Sequence, residues 1–162
     1  MADTNRAVEK LQGKFEASIL EVKQDRGDWI VTVRKDAIVE VLTFLKRECA
    51  FNMLTDVTAI DYLGKAGDRF MMVYQLTSVA FKDRLRIKAP VAEADSVIAS
   101  ATQVYASANW LEREVFDLFG IRFDKHPDLR RILMASDWVG YPLRKDYPLQ
   151  GPGREPYKGR LS

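Results

Sequence analysis

His126 is the one histidine of the 162-residue chain, and three carboxylates precede it at Glu112, Glu114 and Asp117. An imidazole near carboxylates can do general acid–base catalysis or hold a metal. The spacing argues against both. Metal-binding pairs on one helix face stand four residues apart, no such pair occurs here, and His126 lies beyond the helix-breaking Gly120. A serine nucleophile would need the same histidine, and the Gly-x-Ser-x-Gly elbow is absent. Gly64-Lys65-Ala66-Gly67 is followed by no Gly-Lys-Ser/Thr helix start, and Gly151-Pro152-Gly153 is a turn signal, not a dinucleotide fingerprint. The single cysteine, Cys49, allows neither an internal disulfide nor a cysteine-ligated metal or iron–sulfur site within this chain. At the end of an apolar helical pattern it reads as a buried, inert thiol. An enzyme here would be a cofactor-independent one, built on His126 with Glu112 or Glu114.

The same residues pose a packing problem. Glu112, Arg113, Glu114 and Asp117 are threaded among Trp110, Leu111, Val115, Phe116, Leu118 and Phe119. Burying a charge is costly unless it is paired, so these charges need partners elsewhere in the fold or on another protein. Arg113 and Asp117 stand four apart and can pair on a helix. Their order is the less favourable one, which points to partners beyond the helix as well.

The elements that hold these residues follow from periodicity. A weak helical pattern covers 5–14, interrupted by Gly13. Strands at 18–24 and 29–33 flank a hairpin loop at Asp25-Arg26-Gly27-Asp28. Asp36 is a candidate N-cap for an amphipathic helix over 37–48 carrying Ile38, Val41, Leu42 and Leu45 on one face. Strands follow at 53–62, 69–76 and 81–88. In the last of these Phe81, Leu85 and Ile87 point one way and Lys82, Arg84, Arg86 and Lys88 the other. That basic face lacks interleaved aromatics to stack bases, and it fits a solvent face or a protected sheet edge. A helix from about 95 would use Val97, Ala101, Val104, Tyr105 and Ala108. A second helix from Asn109 would be capped by an Asn109–Glu112 box and ended by Gly120 as the C′ residue. The fold class is α+β: a small mixed or antiparallel sheet with helices packed on it, plus a long irregular C-terminal arm.

From Asp124 onward the texture changes. Five of the six prolines lie in this stretch, and its eight basic residues outnumber five acidic ones, so it is no regular element. Irregular stretches beyond about 12–15 residues are functional or disordered, yet Trp138, Tyr141, Tyr147 and Tyr157 are interleaved with arginines, a composition that anchors protein interfaces. The chain divides into a core domain, 1–123, and an arm, 124–162, laid over a partner surface.

The run Glu112-Arg113-Glu114, Asp117, Leu118-Phe119, His126, Arg130-Arg131 and Ile132-Leu133 resembles the signature of the 30 kDa subunit family of respiratory complex I. The continuation from Asp137-Trp138 through Tyr141, Arg144, Asp146 and Tyr147 is also similar to that family, so the close match runs over 112–148. The resemblance implies a cofactor-free structural component of the peripheral arm, packed on the 49 kDa subunit, its larger partner, and near the subunit that holds the terminal iron–sulfur cluster. FMN, iron–sulfur clusters and quinone would belong to neighbouring subunits of the NADH:quinone oxidoreductase, a proton-translocating complex. The family also has relatives in membrane-bound hydrogenases. These thirteen residues, Glu112, Arg113, Glu114, Asp117, His126, Arg130, Arg131, Asp137, Trp138, Tyr141, Arg144, Asp146 and Tyr147, form the expected partner interface.

A chain this long supports one sizeable core. Its net charge of +2 makes it no strong polyanion binder, and no apolar run approaches the about 18 residues that span a bilayer. The start Met1-Ala2-Asp3-Thr4-Asn5-Arg6 has neither signal-peptide nor transit character. The expected place is the cytoplasmic side of a bacterial plasma membrane, without nucleic acid.

Overall fold

Alternating apolar residues build the sheet. In the computed structural model, which describes residues 2–149 with side chains from Asn5 onward, five strands line up as β1-β2-β5-β4-β3. They span Ile19–Asp25 (β1), Asp28–Val33 (β2), Met53–Asp61 (β3), Phe70–Ser78 (β4) and Asp83–Val91 (β5). All neighbours are antiparallel except β2 and β5, which run parallel. The β1–β2 turn takes positive φ at both central residues, Arg26 (51°) and Gly27 (91°); this pattern matches the right-handed strand twist in two-residue hairpins.

Three helices share one core with the inward residues of these strands: α1 (Ala2–Phe15), α2 (Ile38–Glu48) and α3 (Ala108–Phe119). Ala7, Val8 and Leu11 of α1 and Ile38, Val41, Leu42 and Leu45 of α2 are buried against Leu85, Ile87, Ala89 and Val91 of β5 and Phe70, Met72, Tyr74 and Leu76 of β4. Gly13 sits inside α1 and does not stop it. Asp36 caps no helix: it pairs with Arg34 (2.7 Å) beside a 3-10 turn, and α2 begins without a side-chain cap. Phe81 lies before β5, half exposed, and does not face inward with Leu85 and Ile87. Cys49, just past α2, is only partly buried, and what burial it has pushes its thiol up, away from the reactive thiolate.

The helix expected from about 95 is absent. Val97–Ala99 form a short strand, β6, which pairs in parallel with Arg122–Asp124, β7. Between them runs an irregular connection and then α3, so β6, α3 and β7 make a small parallel crossover unit. The connection is fixed by side chains: the Tyr105 hydroxyl donates to the Phe51 carbonyl (2.6 Å) and the Ser107 hydroxyl to that of Leu54 (3.2 Å). Ala101, Val104, Tyr105 and Ala108 are buried as expected, but by a strand, a turn and a helix start in succession.

Gly120 ends α3 in the left-handed conformation (φ 75°), its amide donating to the Phe116 carbonyl at 2.9 Å. The chain also passes very close to it. A Cβ at Gly120 would stand 2.5 Å from the Tyr141 ring. Gly120→Ala must bear both the left-handed backbone cost, about 1–2 kcal/mol, and displacement of Tyr141. The expected result is a clear drop in the thermal midpoint with loss of arm protection against trypsin; an unchanged melt would mean the ring moves freely.

Candidate functional site

The site is built around the last turn of α3. A helix end leaves four carbonyls without intrahelical partners, and here residues 120–144 supply donors to each. Phe116 O accepts the Gly120 amide, Asp117 O the Arg131 guanidinium (3.0 Å), Leu118 O the Leu143 amide (3.0 Å) and Phe119 O the Arg144 Nε–H (2.6 Å). Gly120 thus caps the first of these carbonyls and the arm satisfies the other three. Two cations at a helix C-terminus also face the favourable end of the macrodipole. Tyr141 lies between them, its ring 5.4 Å from the Arg131 guanidinium and 4.7 Å from that of Arg144.

Asp117 holds the first half of the arm. Its carboxylate is fully buried, and Oδ1 accepts Arg131 at 2.6 Å. Oδ2 accepts the amides of Ile132 (3.0 Å), Leu133 (2.8 Å) and Met134 (2.8 Å). Burial pushes its pKa up, but the Met134 amide, Arg131 and the other two amides outweigh it, and the carboxyl stays below its ordinary value. The expected Arg113–Asp117 pair does not form. Arg113 reaches instead to the carbonyls of Arg130 and Arg131, both at 3.1 Å.

A second cluster, outside the signature run, holds the other half. Arg69, buried between β3 and β4, donates to Asp61 through two nitrogens (3.1 and 3.0 Å), to Asp146 (2.6 Å) and to Glu93. Asp61 also accepts the amides of Leu63 (2.9 Å) and Lys145 (2.8 Å). Burial raises the Asp61 carboxyl, but the Arg69 hydrogen bond and those of Lys145 and Leu63 hold it down at about 2. Arg69 is raised above its ordinary value by Asp61 first and Asp146 next, against burial. The sequence signal was available: Val57, Ala59 and Asp61 share the inward register of β3, so a carboxylate there demands a buried cation.

Glu112 caps no helix. It is fully buried, and accepts Ser100 Oγ–H and the Ala101 amide, both at 2.6 Å. Burial pushes its carboxyl up to about 7 against these two hydrogen bonds. His126, with its side chain fully buried, stands 4.0 Å from it. Its Nδ1 accepts the Asp128 amide (3.1 Å) and its Nε2 faces the Asn109 carbonyl (3.1 Å). Both ring nitrogens are thus engaged by backbone, and Glu114 is exposed to solvent. The surface cavities at α1–α2, β2–β5 and β3–β4 are lined by residues other than Glu112 and His126. Among the same residues no three His, Cys, Asp or Glu side chains converge to hold a metal.

Of the other expected residues, Arg130 is exposed and pairs with Asp128 (2.9 Å), and Asp137 is exposed. Trp138 is half-buried and its carbonyl accepts Arg131 (3.2 Å). Tyr147 packs over Gly140 and donates to the Val139 carbonyl (3.3 Å). Pro152, Pro156 and Tyr157 lie outside the described residues. The expectation of an arm laid over a partner thus meets a different geometry in 125–149: its inner side is bonded to its own domain. Its outer side sets large apolar residues among charged ones such as Asp128, Arg130 and Asp137. Leu133, Val139 and Leu143 are 61%, 69% and 51% exposed.

A family model, "Respiratory-chain NADH dehydrogenase, 30 Kd subunit", matches residues 31–153, a range that holds α2, β3, β4, β5 and α3 and runs on past the described residues of the arm. The chain belongs to this family. The NADH-quinone oxidoreductase C subunit of Trichlorobacter lovleyi is 89% identical to it over 162 residues, the whole of both chains. That of Geobacter metallireducens is 64% identical, again over the whole of both. Among solved structures, the trypsin-resistant fragment of Nqo5 is 32% identical with a TM-score of 0.70, covering 78% of this chain and 99% of that one. A chain of the membrane-bound sulfane sulfur reductase, an archaeal respiratory membrane complex, shares the fold at 24% identity. Its TM-score is 0.71, over 90% of this chain and 86% of that one. In this member of the family, Asp117, Arg131 and Arg144 bond the arm to the end of α3, and His126 bonds its root to the Asn109 carbonyl. No described helix is long and apolar enough to cross a membrane.

Proposed function

We propose that the chain is a structural subunit of NADH-quinone oxidoreductase, a translocase, with no active site of its own. It holds no cofactor and docks by the outer face of its arm onto the larger partner subunit that the signature implies. The subunit with the terminal iron–sulfur cluster lies beside it, on the cytoplasmic side of the membrane. One observation carries this reading. The inner side of 125–149 is consumed by helix carbonyls and two ionic clusters, while its outer side leaves large apolar residues in water. Five of the twelve exposed large apolar side chains among the described residues lie on this short segment, and such concentration marks interaction surfaces. Arg130, Asp137 and Trp138 would form the rim of that surface. The division into a core, 1–123, and an arm, 124–162, belongs to the same proposal; the Nqo5 fragment, resistant to trypsin and matching 78% of this chain, supports it.

The test is purification of the tagged chain from native membranes in mild detergent. The larger partner subunit and its neighbours should co-elute in stoichiometric amount. The isolated chain should carry neither metal nor flavin by elemental analysis and absorbance. Elution as a lone chain, or a stoichiometric chromophore in it, would contradict the proposal.

A further inference from the structure

Glu112 differs from the other buried carboxylates in having no cation. Asp61 and Asp117 each meet an arginine. Around Glu112 stand the Ser100 and Thr102 hydroxyls from the β6–α3 connection, His126 from the arm and Tyr74 from β4. The His126 Nδ1 accepts an amide hydrogen, so the ring proton sits on Nε2 in this arrangement. The Tyr74 hydroxyl is buried and meets no hydrogen-bond partner among the described residues. Burial, and then the Glu112 charge, keep that phenol well above its ordinary value. The charged neighbours on the same elements, Glu114, Asp124 and Lys125, are exposed, and Arg113 is occupied by arm carbonyls.

This pocket can take up a proton without moving a heavy atom. As an anion, Glu112 accepts from Ser100 Oγ, which accepts from Thr102 Oγ1 at 2.8 Å. As an acid, it donates to Ser100 Oγ, which turns its own hydrogen to Thr102. The hydroxyl pair runs in either direction. The cover over the carboxyl is the root of the arm: Ser100 N–H donates to Asp124 O (2.9 Å), and His126 N–H to Phe123 O (3.3 Å).

We propose that Glu112 is a reversible proton-binding site that governs the opening of the arm root, residues 123–128. When His126 swings out, the carboxyl meets water and returns toward its ordinary value of 4.5. The closed root therefore binds the proton more tightly than the open one. Closure is most favoured below the open-state value, and that preference is lost as pH rises through about 7. This stands apart from the docking proposal, since it concerns the chain by itself.

The test is amide exchange of the full chain between pH 5 and 8, each rate divided by its intrinsic value. Opening at Ser100, Ala101, His126 and Asp128 should increase at least about tenfold across that range, while amides within β4 stay level. Glu112→Gln, which keeps a neutral group at every pH, should flatten the dependence. Should that variant fail to fold, the carboxyl carbon resonance of Glu112 in the unmodified chain decides. A midpoint near neutrality supports the proposal, and one in the ordinary carboxyl range overturns it. A pH-independent root, or the same dependence kept in Glu112→Gln, also overturns it.

Discussion

Asp117→Ala should strip the arm from the core. The change removes the acceptor of four hydrogen bonds, three from consecutive amides and one from Arg131, and leaves that arginine without its buried partner. Breaking one side of a buried pair costs about 3–5 kcal/mol. Cleavage of an opening segment tracks its open population, so trypsin cutting at Arg130, Arg131, Arg144 and Lys145 should rise on the order of a hundredfold. Asp117→Asn should do nearly as badly, because its one oxygen can serve either the three backbone amides or Arg131, and its NH2 then faces the other set donor against donor. In cells the yield of assembled complex should fall, while turnover per assembled complex stays near normal. An assembled complex that lost most of its quinone reduction would place Asp117 in the chemistry, against a purely structural role.

The second large effect is expected at Arg69. Arg69→Met leaves Asp61, almost wholly buried, without a cation, again at about 3–5 kcal/mol. For a chain of this size about 2–4 °C is lost per kcal/mol, so the melt should shift by roughly 10 °C. The double change Asp61→Leu with Arg69→Met should recover much of the loss, since replacing both partners removes the stranded charge. Additive single effects would show that the pair is not the source. The same cluster sets an acid limit. Asp61, held at about 2, contributes stability above its unfolded value of 3.8, and this is lost as pH falls through about 2.

Much of the fold is legible in the sequence because periodicity reports burial. α2 and the five sheet strands lie within a few residues of where helical spacing and alternation place them. β6 is not legible, for the same reason. Ala101, Val104, Tyr105 and Ala108 are buried at helix-like intervals, and a pattern of burial does not state which backbone produces it. Tyr105 and Ser107, bonded to carbonyls of Phe51 and Leu54, hold an irregular path that no local signal announces. At the site, the charges of the signature visibly need partners, but local spacing names the wrong ones. Asp117 finds Arg131 fourteen residues away and Glu112 finds Ser100 twelve away. Such pairs depend on tertiary placement, which propensity does not encode. Arg69 lies outside the signature and carries no local mark of its role, although Asp61 in an inward register calls for it.

An arm with one face for its own domain and an outer face, with exposed apolar residues, for a partner is tested most directly by the triple change Leu133→Glu, Val139→Glu and Leu143→Glu. The full chain would be expressed in its native complex. These side chains lie in solvent, and the Leu133 and Leu143 amides keep their acceptors, so the chain should fold with an unchanged melt. This folded chain should no longer co-purify with the larger partner subunit. Normal co-purification, with full yield of the complex, would mean that the outer face is not the docking surface.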